Sequence, residues 1–469
     1  MVLTGGFMTL LDVSSVNVAL PSIQETLGAT PSEIQWIVAG YGLTFGLMLV
    51  PAGRFGDAIG RRRMFLIGLI GFVLLALGSG LAPTATALAL FRLAQGAFAG
   101  IMNPQIAALI QELFRGRDRA RAFGMFGMVL SVSTAIGPVL GGVLVTTIAS
   151  DESWRAVFLI NVPIGVVLIP LAARFLPSPA ARSDVQRVGL DIPGLLLIAG
   201  IVLSVMWPFV TASSSPEGLA GAPLWLLAIA VVLGIALAAW ERRQNRHSKP
   251  AVLPAVLMRN AGFVLGTTLA FALFAGFTSI FLIVTMFYQD GLGHSALVAG
   301  LVQLPMAITS AWGSHWAGAR VMDRGRRIVI EGLAIMIISA AVMAVATVSL
   351  DVEIVQWLIP VLMAVSGWGS ACVITPNHTL TLNEVPTPLA GTAAGLLQTS
   401  QRLGGVIGLT LVSTVYFAGV VSGGGSLSGY TNAFALSLTL NAALIAIALV
   451  IAVVDARRRA NRRAAGSTE

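Results

Sequence analysis

The sequence predicts an all-α integral membrane protein of fourteen transmembrane helices, built as two six-helix bundles with two helices inserted between them. Three observations lead there. Of 469 residues, 56% are hydrophobic and 10% charged, where a soluble domain carries about 25% charge. Apolar blocks of about 20 residues, enough to cross a ~30 Å hydrocarbon core, recur from the first residue almost to the end. The basic residues between them fall on alternate connections. A water-soluble globule is excluded.

Taken in order, the first block, 2–22, ends before Glu25; it has no basic leader or cleavage pattern and carries polar residues, so it reads as a retained helix, not a signal peptide. It also starts almost at Met1, without a polar lead, which points to a shortened start. Glu33 opens the second, 34–52, and a Gly/Arg-rich stretch closes it. The third and fourth, 64–83 and 85–108, stand between that stretch and Arg115 to Arg121. The fifth and sixth, 122–148 and 156–176, are split by Asp151, Glu152 and Arg155. Beyond a polar stretch at 177–189 come 190–211 and 222–240, with Glu217 between them. After 241–261 the pattern resumes with 262–288, 295–318, 328–349, 353–380, 391–420 and 432–454. None alternates polar and apolar residues as a membrane barrel strand does, so the spans are helical. The predicted organisation is a bundle over 1–176, a linker with two extra helices over 177–261, a second bundle over 262–454 and a basic tail over 455–469.

All Lys and Arg except Arg92, Arg155 and Arg402 lie on one set of alternate connections and the tail. The opposite set holds Glu25, Glu33, Asp151, Glu152, Glu217, Asp290, Asp351 and Glu353. By the positive-inside rule the basic set is cytoplasmic, which puts both termini inside and demands an even helix count. The net charge of +8 is therefore topological and lipid-facing, and nucleic acid is not a partner. Cys372 is the single cysteine, and His247, His294, His315 and His378 match no metal-ligand spacing, so neither disulfides nor a metal are expected. The loops leave no room for a catalytic domain, and no nucleophile triad, paired carboxylates or phosphate-binding loop is visible, so the chain is not read as an enzyme or a nucleotide-driven pump. Arg far exceeds Lys, which suggests a bacterial source with a GC-rich genome.

Two stretches repeat. Gly53-Arg54-Phe55-Gly56-Asp57-Ala58-Ile59-Gly60-Arg61-Arg62-Arg63 follows the second helix, and Gly318 to Arg327 follows the tenth. Both read as small-residue turns with one Asp, a Gly and a basic cluster. A repeat of helices one to six in helices nine to fourteen leaves seven and eight as an insertion, a known transporter plan with binding at the interface of the halves.

These residues, together with others in order along the chain, resemble the major facilitator superfamily, and within it the fourteen-helix drug:proton antiporters. Asp12 to Pro21 is similar to that branch's first-helix signature, and 53–63 to the superfamily's loop motif. Arg92-Leu93-Ala94-Gln95-Gly96 resembles the fourth-helix motif, Gly137-Pro138-Val139-Leu140-Gly141-Gly142 the antiporter motif, and Trp154 to Gly165 the sixth-helix signature. The resemblance implies a major facilitator fold and proton-coupled export of amphipathic drugs, antibiotics or related molecules by alternating access. It implies no cofactor beyond the proton gradient, and a monomeric transport unit in the bacterial cytoplasmic membrane. Export of a lipid or a specific metabolite, and proton-coupled uptake on the same fold, are the alternatives.

Asp12 is the acid placed deep in a span, where an uncompensated carboxylate costs ~2.5–3.5 kcal/mol on insertion scales. It reads as the proton-coupling site, the alternative being a permanently paired structural Asp. Arg92 is its natural partner, and the resemblance implies that it couples protonation to the conformational change. Gln95 and Asn103 continue from Arg92 at helical spacing toward a polar cavity. Ser133, Gly137 and Gly141 recur every four residues, and Pro138 lacks an N–H, so helix five is expected to be tightly packed and bent; the resemblance associates this element with export. Asp57, with Gly53, Gly60 and Arg61, reads as a gate: its carboxylate can face the positive end of a neighbouring helix or an Arg. Arg402 is a second deep cation, preceded by Gln398. Asn377, His378 and the aromatics Trp312 and Trp368 complete the candidates for the substrate cavity, ahead of Trp36, Tyr41, Trp207 and Trp316. With one deep acid against two deep arginines a dication lacks compensation, so the expected substrate is neutral, zwitterionic, anionic or monocationic.

Overall fold

The computed structural model describes residues 1–147, 152–177, 191–214, 221–246 and 252–466. Asp151, Arg182, Arg187, Glu217, His247 and Lys249 lie outside the described residues. Fourteen long helices are present among the described residues: α1 Val2–Leu27, α2 Pro31–Ile59, α3 Arg61–Gly80, α4 Ala85–Leu113, α5 Gly116–Thr147, α6 Arg155–Phe175 and α7 Ile192–Ser214. They continue as α8 Leu226–Arg246, α9 Ala261–Gly291, α10 Leu297–Arg324, α11 Arg326–Ser349, α12 Val352–Asn383, α13 Ala390–Ser422 and α14 Leu427–Gly466. All but α8 contain a stretch long and apolar enough to cross a membrane. The exception carries Glu241, Arg242 and Arg243 in its last turns, charges that lie past its apolar stretch.

Short sequence signals set the ends. Thr30 caps α2 in a reciprocal box with Glu33, with Pro31 at the first helical turn. Asn260 accepts from the Gly262 and Phe263 N–H groups at the start of α9. Gly60 separates α2 from α3 at φ 109°, and Gly325 separates α10 from α11 at φ 56°, backbone settings that glycine adopts without strain. The expected turn over 53–63 is therefore a single residue. Gly53 to Ile59 are the last turns of α2, because their small side chains pack against a neighbouring helix and nothing in them breaks the helical ladder.

Helices α1–α6 form one bundle and α9–α14 the other, related helix by helix with an offset of eight: α2 packs on α13 as α10 packs on α5, and α4 meets α13 as α12 meets α5. The inserted α7 packs on α8, α2 and α13, along one side of the seam between the bundles. Arg155, the one Arg on the acidic set of connections, donates to the carbonyls of Gly80 and Ala82 at 3.1 and 2.7 Å and pins α6 to the end of α3.

Candidate functional site: a buried carboxylate and a helix-end latch

Asp12 is fully buried on α1. Arg92 of α4 forms an ion pair with its Oδ2, while Gln95 Nε2 and Asn161 Nδ2 donate to Oδ1 at 3.1 and 3.2 Å. Arg92 Nη1 also donates to Gln95 Oε1 at 2.8 Å, its Nε donates to the Ile37 carbonyl at 3.3 Å, and its guanidinium lies 4.2 Å from the Tyr41 ring centroid. The carboxylate is thus compensated by one cation and two amides from α4 and α6. Removing one member of such a pair strands the other charge, at ~3–5 kcal/mol. Gln95, expected in a cavity wall, belongs instead to this knot because it stands one helical turn from Arg92. Asn103, expected beside it, donates to Thr9 Oγ1 at 3.2 Å and ties α4 to α1. Asn161 received no site role from sequence; its signal was an amide set inside an apolar span.

Helix α5 supports this site. A Cβ on Gly141 would stand 2.8 Å from the Ser15 carbonyl oxygen, and one on Gly137 2.7 Å from Ser14 Cβ. The glycine face therefore lets α5 lie directly against the turn of α1 that carries Asp12. The helix runs unbroken from Gly116 to Thr147; the side chain of Pro138 lies outside the described residues.

At the face bearing the basic loops, Asp57 accepts from the Gly391 and Thr392 backbone N–H groups at 2.9 and 2.7 Å and from Thr392 Oγ1 at 2.8 Å. Those are the opening residues of α13, the positive end of its dipole. Arg61 pairs with Asp57 at 3.1 Å and Glu112 at 2.9 Å, and also donates to the Thr387 carbonyl. Further bonds join the bundles here: Gln111 to the Leu382 and Val385 carbonyls, Arg119 to Asn383, and Arg117 to Asp323. Among the described residues, polar bonds between the two bundles extend from this face as far as Ser131 and Ser310, 2.9 Å apart near mid-helix. The basic face is closed.

The second basic turn is not a copy of this latch. Aligning Gly325 with Gly60 puts Met322 in register with Asp57, so Asp323 points elsewhere and forms an exposed pair with Arg117. Arg326, in register with Arg61, is buried against Asp455 at 2.5 Å and donates to Asn377 Oδ1. Asn377 donates in turn to the Gly266 carbonyl at 2.9 Å. This corrects the placement of Asn377 in the substrate cavity: a buried Arg needs its acceptors, and Asn377 is one of them.

The aromatic expectations are corrected too. Trp312 is 77% exposed and lines an outer groove of about 420 Å³ with Met128, His315 and Arg320. Trp368 faces the same groove, 5.3 Å from Trp316. The inward side of α10 is instead Ser310, Ser314, Ala317 and Gly318, small residues that allow α5 to approach. His378 is buried between Phe123 and Phe126 of α5, its Nε2 2.8 Å from Gln401. Arg402 on α13 is half-buried with its guanidinium 4.4 Å from the Phe45 ring centroid. A cation–π contact contributes about 0.5–2 kcal/mol, less than the cost of an unpaired charge at this depth. Gln398 lies four residues, about one helical turn, before Arg402 on α13 and is 8% exposed.

Residues 2–409 match the model of the Major Facilitator Superfamily. The chain is 32% identical over 421 residues to the "Probable actinorhodin transporter" of Streptomyces coelicolor, covering 89% of this chain and 71% of that protein. It is 33% identical over 420 residues to the "Puromycin resistance protein pur8" of Streptomyces alboniger, covering 88% and 80%. Its fold is similar to that of the proton:xylose symporter XylE bound to 6-bromo-6-deoxy-D-glucose, with a TM-score of 0.66, 16% identity and coverage of 96% and 93%. With two pseudo-symmetric six-helix bundles and a family match over most of its length, the chain is a multi-pass membrane protein belonging to the Major Facilitator Superfamily.

Proposed function

We propose that this protein is a proton-coupled secondary active exporter of amphipathic small molecules, working by alternating access of helices α1–α6 against α9–α14. The observation that carries the reading is the Asp12 carboxylate, buried in a span and held by Arg92, Gln95 and Asn161. The relatives named for actinorhodin transport and puromycin resistance support export of antibiotic-like molecules. In this reading the basic face and both termini are cytoplasmic, the membrane is the bacterial cytoplasmic membrane, and the transport unit is a monomer with bundles over 1–176 and 262–454.

The closed basic face then corresponds to an outward-facing state. A proton reaching Asp12 neutralises the partner of Arg92, and the guanidinium must find other acceptors. Asp12 sits on α1 against α5, and α5 carries the seam with α10; loosening the knot changes the balance between the two arrangements of the seam. Substrate taken from the cytoplasm or inner leaflet favours the opposite arrangement. Coupling is the difference in affinity of proton and substrate between the two states, so a ligand bound equally by both moves nothing. Asp57, Arg61 and the start of α13 act as the cytoplasmic latch, which must part for loading.

The test is flux in liposomes holding the purified protein, with wild type against Asp12→Asn. The variant is expected to lose uphill export driven by a pH gradient while retaining substrate exchange at equal pH. Uphill export that survives in the amide variant defeats the reading.

A further inference from the structure

We infer that Arg402 is the recognition point for a monoanionic oxygen group, a carboxylate or enolate, on an amphipathic substrate carrying a flat ring. This deepens the transport reading and rests on it.

Three buried arginines of the described residues end on acids: Arg61 on Asp57 and Glu112, Arg92 on Asp12, Arg326 on Asp455. Arg402 ends on a ring. Among the described residues it has no ion pair and no hydrogen bond, and its guanidinium rests over Phe45 of the opposite bundle. A guanidinium offers five N–H donors in a planar fork that matches a carboxylate, and here the fork is unused.

Its surroundings are also short of partners. Gln398 stands one helical turn before Arg402 on α13, and its Nε2 is buried without a bond. Tyr41, 2% exposed, has a buried hydroxyl without a bond, and its ring is stacked with Phe45 at 6.2 Å between centroids. An orphaned donor costs free energy that an incoming acceptor would recover. Two N–H-bearing side chains and the stacked Tyr41–Phe45 pair, which carries the phenol, thus converge where α13 crosses α2.

The charge balance selects the ligand. Asp12 and Arg92 neutralise each other, and among the described residues no acid pairs with Arg402. A monoanion cancels the residual charge, a neutral ester gains only the stacking, and a cation meets repulsion. Because Arg402 and Phe45 belong to opposite bundles, an anion held by this guanidinium lies on the surface that alternating access must open. The Tyr41 ring also faces Arg92, so this position adjoins the carboxylate site without sharing its acid.

The experiment is equilibrium binding to the full-length protein in nanodiscs, read by quenching of tryptophan fluorescence. The probes are anthraquinone-2-carboxylate, its methyl ester and 2-(aminomethyl)anthraquinone. Wild type is expected to bind the acid about tenfold tighter than the ester, a difference of about 1.4 kcal/mol, and the amine most weakly. Arg402→Gln should abolish that preference and leave the ester unchanged, Arg402→Lys should retain part of it, and Gln398→Leu should reduce it severalfold. The inference is overturned if wild type does not bind the acid, binds acid and ester alike, or loses both equally in Arg402→Gln. Should Arg402→Gln fail to fold, the wild-type comparison and Arg402→Lys decide. Binding needs no proton gradient, so it fails or stands separately from the flux test on Asp12→Asn.

Discussion

Gly53 of α2 and Gly391 of α13 meet backbone to backbone: a Cβ on Gly391 would stand 2.5 Å from the Gly53 carbonyl oxygen. One helical turn further on, Asp57 bonds the first N–H groups of the same α13. The pseudo-symmetric crossing repeats the device, since a Cβ on Gly318 would lie 2.6 Å from Gly124 Cα. Closure of the basic face depends on absent side chains at two crossings and on a carboxylate at one.

The latch predicts an asymmetry between variants. Asp57→Asn keeps the shape and removes the charge facing the helix end, an interaction of about 1–2 kcal/mol when partly buried. The ratio of closed to open molecules should fall about tenfold. Labelling of a cysteine placed at Ala394 of α13, which is buried in the closed state, by a water-soluble maleimide is expected to speed up accordingly, against a background from buried Cys372. Gly391→Ala should do the same by steric means, whereas unchanged labelling in both variants would remove Asp57 and Gly53 from the gate.

The Asp12 and Arg92 pair predicts non-additive stability. Arg92→Met alone strands a carboxylate and should destabilise the protein by about 3–5 kcal/mol, seen as a large fall in melting temperature. The double variant Asp12→Leu with Arg92→Met removes both charges and should regain most of the loss while remaining inactive in uphill transport. Losses that simply add would show that the two groups do not compensate each other.

The reassigned residues predict a separation of effects. Trp312 is 77% exposed in an outer groove and does not lie on the inward side of α10, so Trp312→Ala should leave export within about twofold of wild type, as surface substitutions usually change stability by under about 0.5 kcal/mol. Asn377→Leu removes an acceptor from buried Arg326 and should lower the melting temperature by an amount equivalent to about 1–3 kcal/mol, with the preference among substrates unchanged. A Trp312 variant with an altered substrate range would restore the cavity assignment.

Much of this was legible because some signals are one-dimensional. Asp12 and Arg92 stand out by depth alone, and Gly60 with Arg61 recurs as Gly325 with Arg326. The copy misled at Asp323, where one residue of register moves a side chain by about 100° around a 3.6-residue helix and turns a buried latch into an exposed pair. Asn377 and Trp312 misled for a related reason: a polar residue in a span can face its own bundle, and a large aromatic can face lipid at no cost.

The amino-acid order by itself determined the number of crossings, the two halves with their insertion, and which charges lie deep, because membrane thickness and the cost of an unsolvated charge act on each segment separately. The tertiary structure decided the partners. That Asn161 of α6 reaches Asp12, that α13 presents its N–H groups to Asp57, and that Arg402 meets Phe45 and no acid depend on how each helix is rotated about its axis. In lipid a span is apolar on nearly every face, so that rotation is fixed only by packing against its neighbours.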